Sequence, residues 1–143
     1  MNKWFSMLVI LPALVFAQDP KTTFPPDIRV EQGVVYLSPN HIEKADLYFP
    51  RTMSGNQNRP AVLIIHGGGW TGGERDVPRE INIGSTLSRN GYVAMSIDYV
   101  LATKEKATWP QNLYDCKTAV RLLRKNAERL PIDPTRIGGL TGI

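Results

Sequence analysis

The apolar run Ala61-Val62-Leu63-Ile64-Ile65 empties directly into His66-Gly67-Gly68-Gly69-Trp70, and that junction constrains the fold of this chain more than any other feature. A continuous apolar run of this kind is the pattern of a strand buried on both faces, as in a parallel sheet covered by helices. Three consecutive glycines at its exit leave a row of backbone N–H groups at the end of the sheet, with no side chain in the way of a close approach. Such a loop is suited to holding negative charge, either a bound phosphate or an oxyanion that forms during a reaction.

The segments around this junction supply the rest of a layered α/β pattern. Val30 to Leu37 and Ala45 to Phe49 read as two strands, with Ser38-Pro39-Asn40 as a hairpin-like turn between them. Pro50 to Pro60 reads as a polar loop. After the glycines, a helix is expected to begin near Asp76 as its cap, with Pro78 in the first turn, and to stop at Arg89-Asn90-Gly91. Tyr92 to Ile97 is the next strand, closing on Asp98-Tyr99. A second helix follows Pro110, where Leu113, Cys116, Val120, Leu123, Ala127 and Leu130 recur at steps of three and four. Pro131-Ile132-Asp133-Pro134 ends it, and Arg136 to Leu140 opens a last strand. An antiparallel hairpin followed by strands alternating with helices implies right-handed crossovers and parallel strands with helices on both faces. Ligands then bind at the carboxyl ends of the strands, where the glycine row lies.

The N-terminus reads differently. Met1-Asn2-Lys3 is a short positive head, Trp4 to Phe16 is apolar apart from Ser6 and Pro12, and Val15-Phe16-Ala17 has the form of a small-residue cleavage site. Residues 1–17 are therefore expected to be a signal peptide, with a secreted or periplasmic product and no stable membrane span after its removal. Residues 18–27 form a polar, Pro-rich tail, which leaves 28–143 for one folded unit. The net charge of +4 comes from scattered Lys and Arg. The tightest group, Arg121, Arg124, Lys125 and Arg129 on one helix, reads as a solvated face, and no nucleic-acid partner is expected. His41, His66 and the single cysteine, Cys116, offer no metal-ligand cluster. Cys116 falls on the apolar stripe of its helix, as a buried structural thiol does.

Two uses of the glycine row compete. Gly67 to Gly72 matches G-x-G-x-x-G, and Asp98 could serve as the ribose-binding acid of a dinucleotide site. That fingerprint should open a helix directly, so that the helix N-terminus faces the pyrophosphate. Here Trp70, Gly72-Gly73 and Pro78 delay the helix, Asp98 comes late, and a secreted protein is removed from the cytoplasmic nicotinamide pool. A purely structural glycine turn is the second alternative. The reading that takes most weight is an oxyanion hole, with Gly67 and Gly68 as N–H donors and Gly69 giving the loop freedom. Fixed donors aimed at a developing oxyanion are worth about 3–4 kcal/mol each in a well-studied case. His66 is expected to fix the loop through hydrogen bonds, and Trp70 either walls the pocket or simply packs. No cofactor is called for.

From Ala45 onward the sequence resembles the α/β-hydrolases, specifically the esterase/lipase group with a His-Gly-Gly-Gly loop, which includes hormone-sensitive-lipase-like carboxylesterases and BD-FAE-type feruloyl and acetyl-xylan esterases. The resemblance rests on Asp46-Leu47-Tyr48, His66 to Trp70 with Gly72-Gly73, Gly91-Tyr92-Val93-Ala94 leading to Asp98-Tyr99, Trp109-Pro110, Asp115 to Lys125, and Ile132 to Gly138. It implies a serine hydrolase acting on a small-molecule or polysaccharide-linked ester. An amidase or peptidase on the same fold and a noncatalytic binding protein are the alternatives. In this family the last strand runs into a Gly-x-Ser-x-Gly elbow. Gly142-Ile143 fits its first two positions, so the resemblance puts the nucleophile at the following residue and the acid and histidine of the triad later still. Ser85, Ser88 and Ser96 stand in no elbow pattern. The 143 residues alone are accordingly expected to fold poorly and to be inactive on p-nitrophenyl acetate.

Overall fold

The computed structural model describes residues 23–53 and 58–142. The expected signal peptide, the first half of the expected tail, Gly55 and Asn56 of the polar loop, and Ile143 lie outside them. Five strands and two helices follow in the order β1 (Ile28–Val34), β2 (Ala45–Pro50), β3 (Arg59–Ile65), α1 (Pro78–Arg89), β4 (Val93–Ile97), α2 (Gln111–Lys125) and β5 (Ile132–Thr141). They form one mixed sheet in the order β1-β2-β4-β3-β5. β1 pairs antiparallel with β2 and β2 antiparallel with β4, whereas β3 runs parallel to both β4 and β5. The expected α/β architecture, an antiparallel hairpin leading into parallel strands, is the one observed.

The inner strands β2, β3 and β4 are largely apolar because both faces are covered, whereas the edge strands β1 and β5 are mostly half-buried or exposed. Side chains alternate across a sheet, so Leu47, Phe49, Leu63 and Met95 join one core with Cys116, Ala119 and Leu123 of α2. Their neighbours Tyr48, Ile64 and Ala94 face the other way, where Ile83 and Leu87 of α1 pack on them. Each large side chain fully withdrawn from water contributes about 1.5–3 kcal/mol, and Leu47, Tyr48, Met95, Ile97 and Leu123 are all inaccessible to solvent.

Several boundaries depart from the expectations. β1 starts earlier and ends at Val34, short of Leu37, with a register irregularity between Glu31 and Val34 where Gly33 takes a positive φ. α1 begins at Pro78 with Val77 as its N-cap and no capping side chain. Asp76 is not the cap; its carboxylate instead lies 3.9 Å from the Arg75 guanidinium. α2 ends at Lys125, although the apolar stripe runs on to Leu130, because the chain passes into turns in which the Leu130 N–H donates to the Asn126 carbonyl (2.9 Å). Leu130 is still fully buried there, so the periodicity reported burial beyond the point where helix stops. β5 pairs in two stretches. Ile132 sits opposite Arg59 and Ile137–Thr141 opposite Ala61–Ile65. Between them Pro134 has no N–H to give the ladder, and Asp133 accepts from the Thr135 amide (2.8 Å) and hydroxyl (2.6 Å).

Cys116 is buried on α2, as its place on the stripe suggested. Burial, reinforced by the Asp115 charge, pushes its thiol up to about 11 from an ordinary 9.0. The folded state therefore favours the neutral thiol, and this contribution to stability is complete below pH 9.0 and lost as pH rises to about 11. Urea unfolding across that window should show a fall in stability that is shallower in Cys116→Ala. An identical fall in the variant would contradict the assignment.

Candidate active site

Register brings three chain exits to one edge of the sheet. Ile65 is the Cα partner of both Ile97 and Thr141, so His66, Asp98 and Gly142 leave β3, β4 and β5 side by side. The Gly142 N–H still donates to the Ile65 carbonyl (3.1 Å), which draws the end of β5 against the start of the glycine loop. The exits of parallel strands are where an α/β sheet binds ligands.

The loop from His66 to Asp76 folds back on itself in two arms. The Gly68 carbonyl accepts from both the N–H and the hydroxyl of Thr71, each at 3.1 Å, which closes a tight turn. Gly68, Gly69, Trp70 and Gly73 all have positive φ. A methyl group on Gly68 would stand 2.2 Å from the Gly72 carbonyl oxygen, so the arms touch backbone to backbone. Within the described residues the amides of Gly67, Gly68 and Gly69 have no hydrogen-bond partner. A cavity of about 270 Å³ opens beside them, lined by His66, Gly67, Gly69, Trp70, Thr141 and Gly142, with Tyr99 closing it. Gly67 and Gly69 are among the residues that line the cavity, and Gly68, expected as a donor with Gly67, closes the turn through its carbonyl.

His66 is buried, and its Nδ1 lies 2.8 Å from the Gly67 carbonyl oxygen. A carbonyl only accepts, so Nδ1 carries the proton and the ring holds the first glycine peptide in place. The imidazole stacks on Tyr99 with centroids 4.3 Å apart and planes 16° from parallel. Tyr99 donates its hydroxyl to the His66 carbonyl (2.8 Å) and meets Trp70 edge-on at 5.1 Å. Burial pushes the Tyr99 hydroxyl up to about 12, so it remains a donor throughout the neutral range. Trp70 is itself tied down, since its carbonyl accepts from the Ala102 N–H (2.8 Å). It both walls the cavity and packs on Tyr99.

Asp98 is not in the cavity beside the amides. It receives the Arg75 backbone N–H (2.9 Å) and the Arg75 guanidinium Nη1 (2.6 Å). Arg75 Nε lies 3.1 Å from Asp46 Oδ1, and Asp46 is buried on β2. Ser96 donates its hydroxyl to the Arg75 carbonyl (2.8 Å). The ion pairs with Asp98 and Asp46 outweigh the cost of burial and hold the guanidinium well above its ordinary range. On the far side of Asp98, its carbonyl accepts from the Tyr36 hydroxyl, and buried Asp115 receives the Val100 N–H (3.0 Å) and the Gln111 side-chain amide (2.8 Å). Nothing in the sequence ties Arg75 to Asp46, Ser96 and Asp98, although Asp46-Leu47-Tyr48 and Asp98-Tyr99 are among the motifs that carry the family resemblance.

The glycine row does not open a helix. α1 starts only at Pro78, after the returning arm, which separates this loop from the dinucleotide arrangement. Among the described residues no group of His, Cys, Asp and Glu is placed to hold a metal ion.

A sheet of this order, with crossover helices on both faces and an amide-lined loop at the exit of its third strand, is the α/β-hydrolase architecture of the esterases and lipases. The sequence profile of the BD-FAE family matches residues 45–143, and the chain belongs to that family. It is similar to the carboxylesterase NlhH of Mycobacterium tuberculosis, at 30% identity over 112 residues that span 78% of this chain and 34% of that enzyme. Esterase LipC of the same organism is 33% identical over 70 residues, 49% of this chain and 17% of its own length. Among solved structures, esterase Est2 of Thermogutta terrifontis superposes with a TM-score of 0.67 at 26% identity, covering 82% of this chain and 40% of that one. The chain thus spans about a third or less of the curated relatives' length.

Proposed function

We propose that this chain carries the charge-stabilising half of a secreted serine hydrolase acting on carboxylic esters. One observation carries the reading: the glycine row, whose amides have no partner among the described residues, lies beside a cavity that Gly67 and Gly69 help to line at the shared exit of three parallel strands. An ester carbonyl lodged there would gain negative charge on its oxygen as a nucleophile adds to the carbon. Donors already fixed in position stabilise that charge without reorganising, at about 3–4 kcal/mol for one such donor. His66 and Tyr99 hold the first glycine peptide still, and Trp70 forms one wall of the cavity. Gly142 lies against Gly67, with 3.0 Å between the Gly67 nitrogen and the place a methyl on Gly142 would take. A nucleophile carried on the turn after β5 would therefore arise within reach of the amides, which supports an elbow beginning at Gly142. The N-terminal sequence supports secretion, and the esterases among the relatives support the ester substrate.

The test is turnover of p-nitrophenyl acetate by the protein expressed from the whole reading frame that contains these residues. Hydrolysis that an alkyl phosphonate abolishes is expected, with no thermal protection by NADH. Absence of turnover on any p-nitrophenyl ester, or turnover indifferent to the phosphonate, would overturn the reading.

A further inference from the structure

The two arms of the glycine loop do different work. The outgoing arm, His66 to Gly69, carries the amides. The returning arm, Gly72 to Asp76, is the surface on which they rest, and no side chain separates the two. A methyl on Gly73 would lie 2.3 Å from His66 Nδ1 and 2.4 Å from the Gly67 carbonyl oxygen. A displacement of the returning arm is therefore passed straight to the peptides of Gly67 and Gly68.

The returning arm is fixed to the sheet through Arg75, which is held by both backbone groups and by its side chain. Its N–H and guanidinium reach Asp98 at the end of β4, its carbonyl receives Ser96 Oγ, and Nε faces Asp46 on β2. Asp46 is in turn fixed by the Gly33 N–H of β1 (2.8 Å). For stability alone, apolar side chains of similar volume serve as well as a buried ion pair. What two carboxylates on different strands add is a fixed position and direction for one arginine. A lysine, with a single point charge on a flexible stem, cannot reproduce that fork.

We propose that Arg75 is a positioning residue for the amide row, acting through Gly72 and Gly73 on the peptides of Gly67 and Gly68 without touching the substrate. The inference rests on the ester-hydrolase reading for its kinetic consequence and on the loop geometry for its structural one.

The experiment uses the protein from the whole reading frame and the variants Arg75→Met, Arg75→Lys and Ser96→Ala. In Arg75→Met, kcat on p-nitrophenyl acetate should fall by about 100-fold, the scale of losing one oxyanion donor. KM should move by less than about threefold, because the lost interaction exists only in the transition state. Affinity for an alkyl boronic acid, which forms a tetrahedral adduct, should fall in parallel with kcat/KM. Arg75→Lys should recover part of the loss. Ser96→Ala removes only the bond to the Arg75 carbonyl and should lower kcat by about fivefold to tenfold with a modest fall in the thermal midpoint, so it decides the matter if Arg75→Met does not fold. Unchanged kcat in the folded variants, a loss confined to KM, or a lysine variant no better than the methionine would overturn the proposal. Should the parent protein show no turnover, the ester reading fails separately. Arg75 is then judged by hydrogen exchange at the Thr71 amide, which closes on Gly68 at 3.1 Å. Faster exchange in Ser96→Ala and Arg75→Met supports the positioning role, and unchanged exchange refutes it.

Discussion

Gly73→Ala should be among the most damaging single-methyl substitutions in this protein. The backbone at Gly73 has φ +100, and the added carbon would stand 2.3 Å from His66 Nδ1 and 2.4 Å from the Gly67 carbonyl oxygen. Both neighbours are fixed. The imidazole is clamped against Tyr99, and the carbonyl is the one that accepts the imidazole proton. Relief must come from moving the outgoing arm, and that arm carries the amides. The left-handed backbone costs about 1–3 kcal/mol for a residue with a side chain, and overpacking adds about 1–3 kcal/mol. The expected result is a loss of about 2–6 kcal/mol in chemical unfolding, with ester turnover falling at least about 100-fold in whatever folds. Gly72→Ala is the internal control, since a methyl there meets nothing within 4 Å. Equal stability of Gly73→Ala and Gly72→Ala would contradict the two-arm description of the loop.

Tyr99→Ala is the second large effect. Tyr99 is buried, lies under the His66 ring, meets Trp70 and donates to the His66 carbonyl. Removing a buried aromatic side chain costs about 3–5 kcal/mol. The hydroxyl can be separated from the ring. Tyr99→Phe keeps the stack and leaves the His66 carbonyl without its donor, a change worth about 1–3 kcal/mol. Tyr99, like His66, lines both the amide cavity and a second one of about 590 Å³ that Asp98, Leu101 and Ile42 help to line. Turnover should fall far more in Tyr99→Ala than in Tyr99→Phe. Comparable losses in both would mean that the hydroxyl, and not the ring, holds His66.

The parts of this molecule legible in its sequence are those set by local pattern. The apolar run Ala61 to Ile65, the run Tyr92 to Ile97 and the helical stripe from Leu113 each report burial directly, and in an α/β chain burial nearly determines the element. The glycine row announced backbone in unusual conformations, and the positive φ values at Gly68 and Gly69 agree. What stayed hidden depended on distant partners. Arg75 sits in Thr71-Gly72-Gly73-Glu74-Arg75-Asp76, a stretch that reads as solvated loop. Its role comes from Asp98, 23 positions later, and from Asp46 on another strand. Asp76 resembled a helix cap because Asp before a proline-started helix usually is one. Here the neighbouring guanidinium attracts that carboxylate, and Val77 takes the cap position with no side-chain bond. The division of labour among the glycines was equally unreadable. Which of them line the cavity depends on the turn that Thr71 closes on Gly68, and identical residues in a row carry no sign of it.

The central claim is that the outgoing arm presents backbone donors to an oxygen that becomes negative during acyl transfer. A crystal structure of the whole protein after reaction with an alkyl phosphonate tests it most directly, because the adduct places a tetrahedral, charged oxygen where the oxyanion would be. The account predicts that oxygen within about 2.7–3.1 Å of the amide nitrogens of Gly67 and Gly69, with the His66 ring still against Tyr99. A phosphonyl oxygen bound elsewhere, with those amides facing only water, would contradict it.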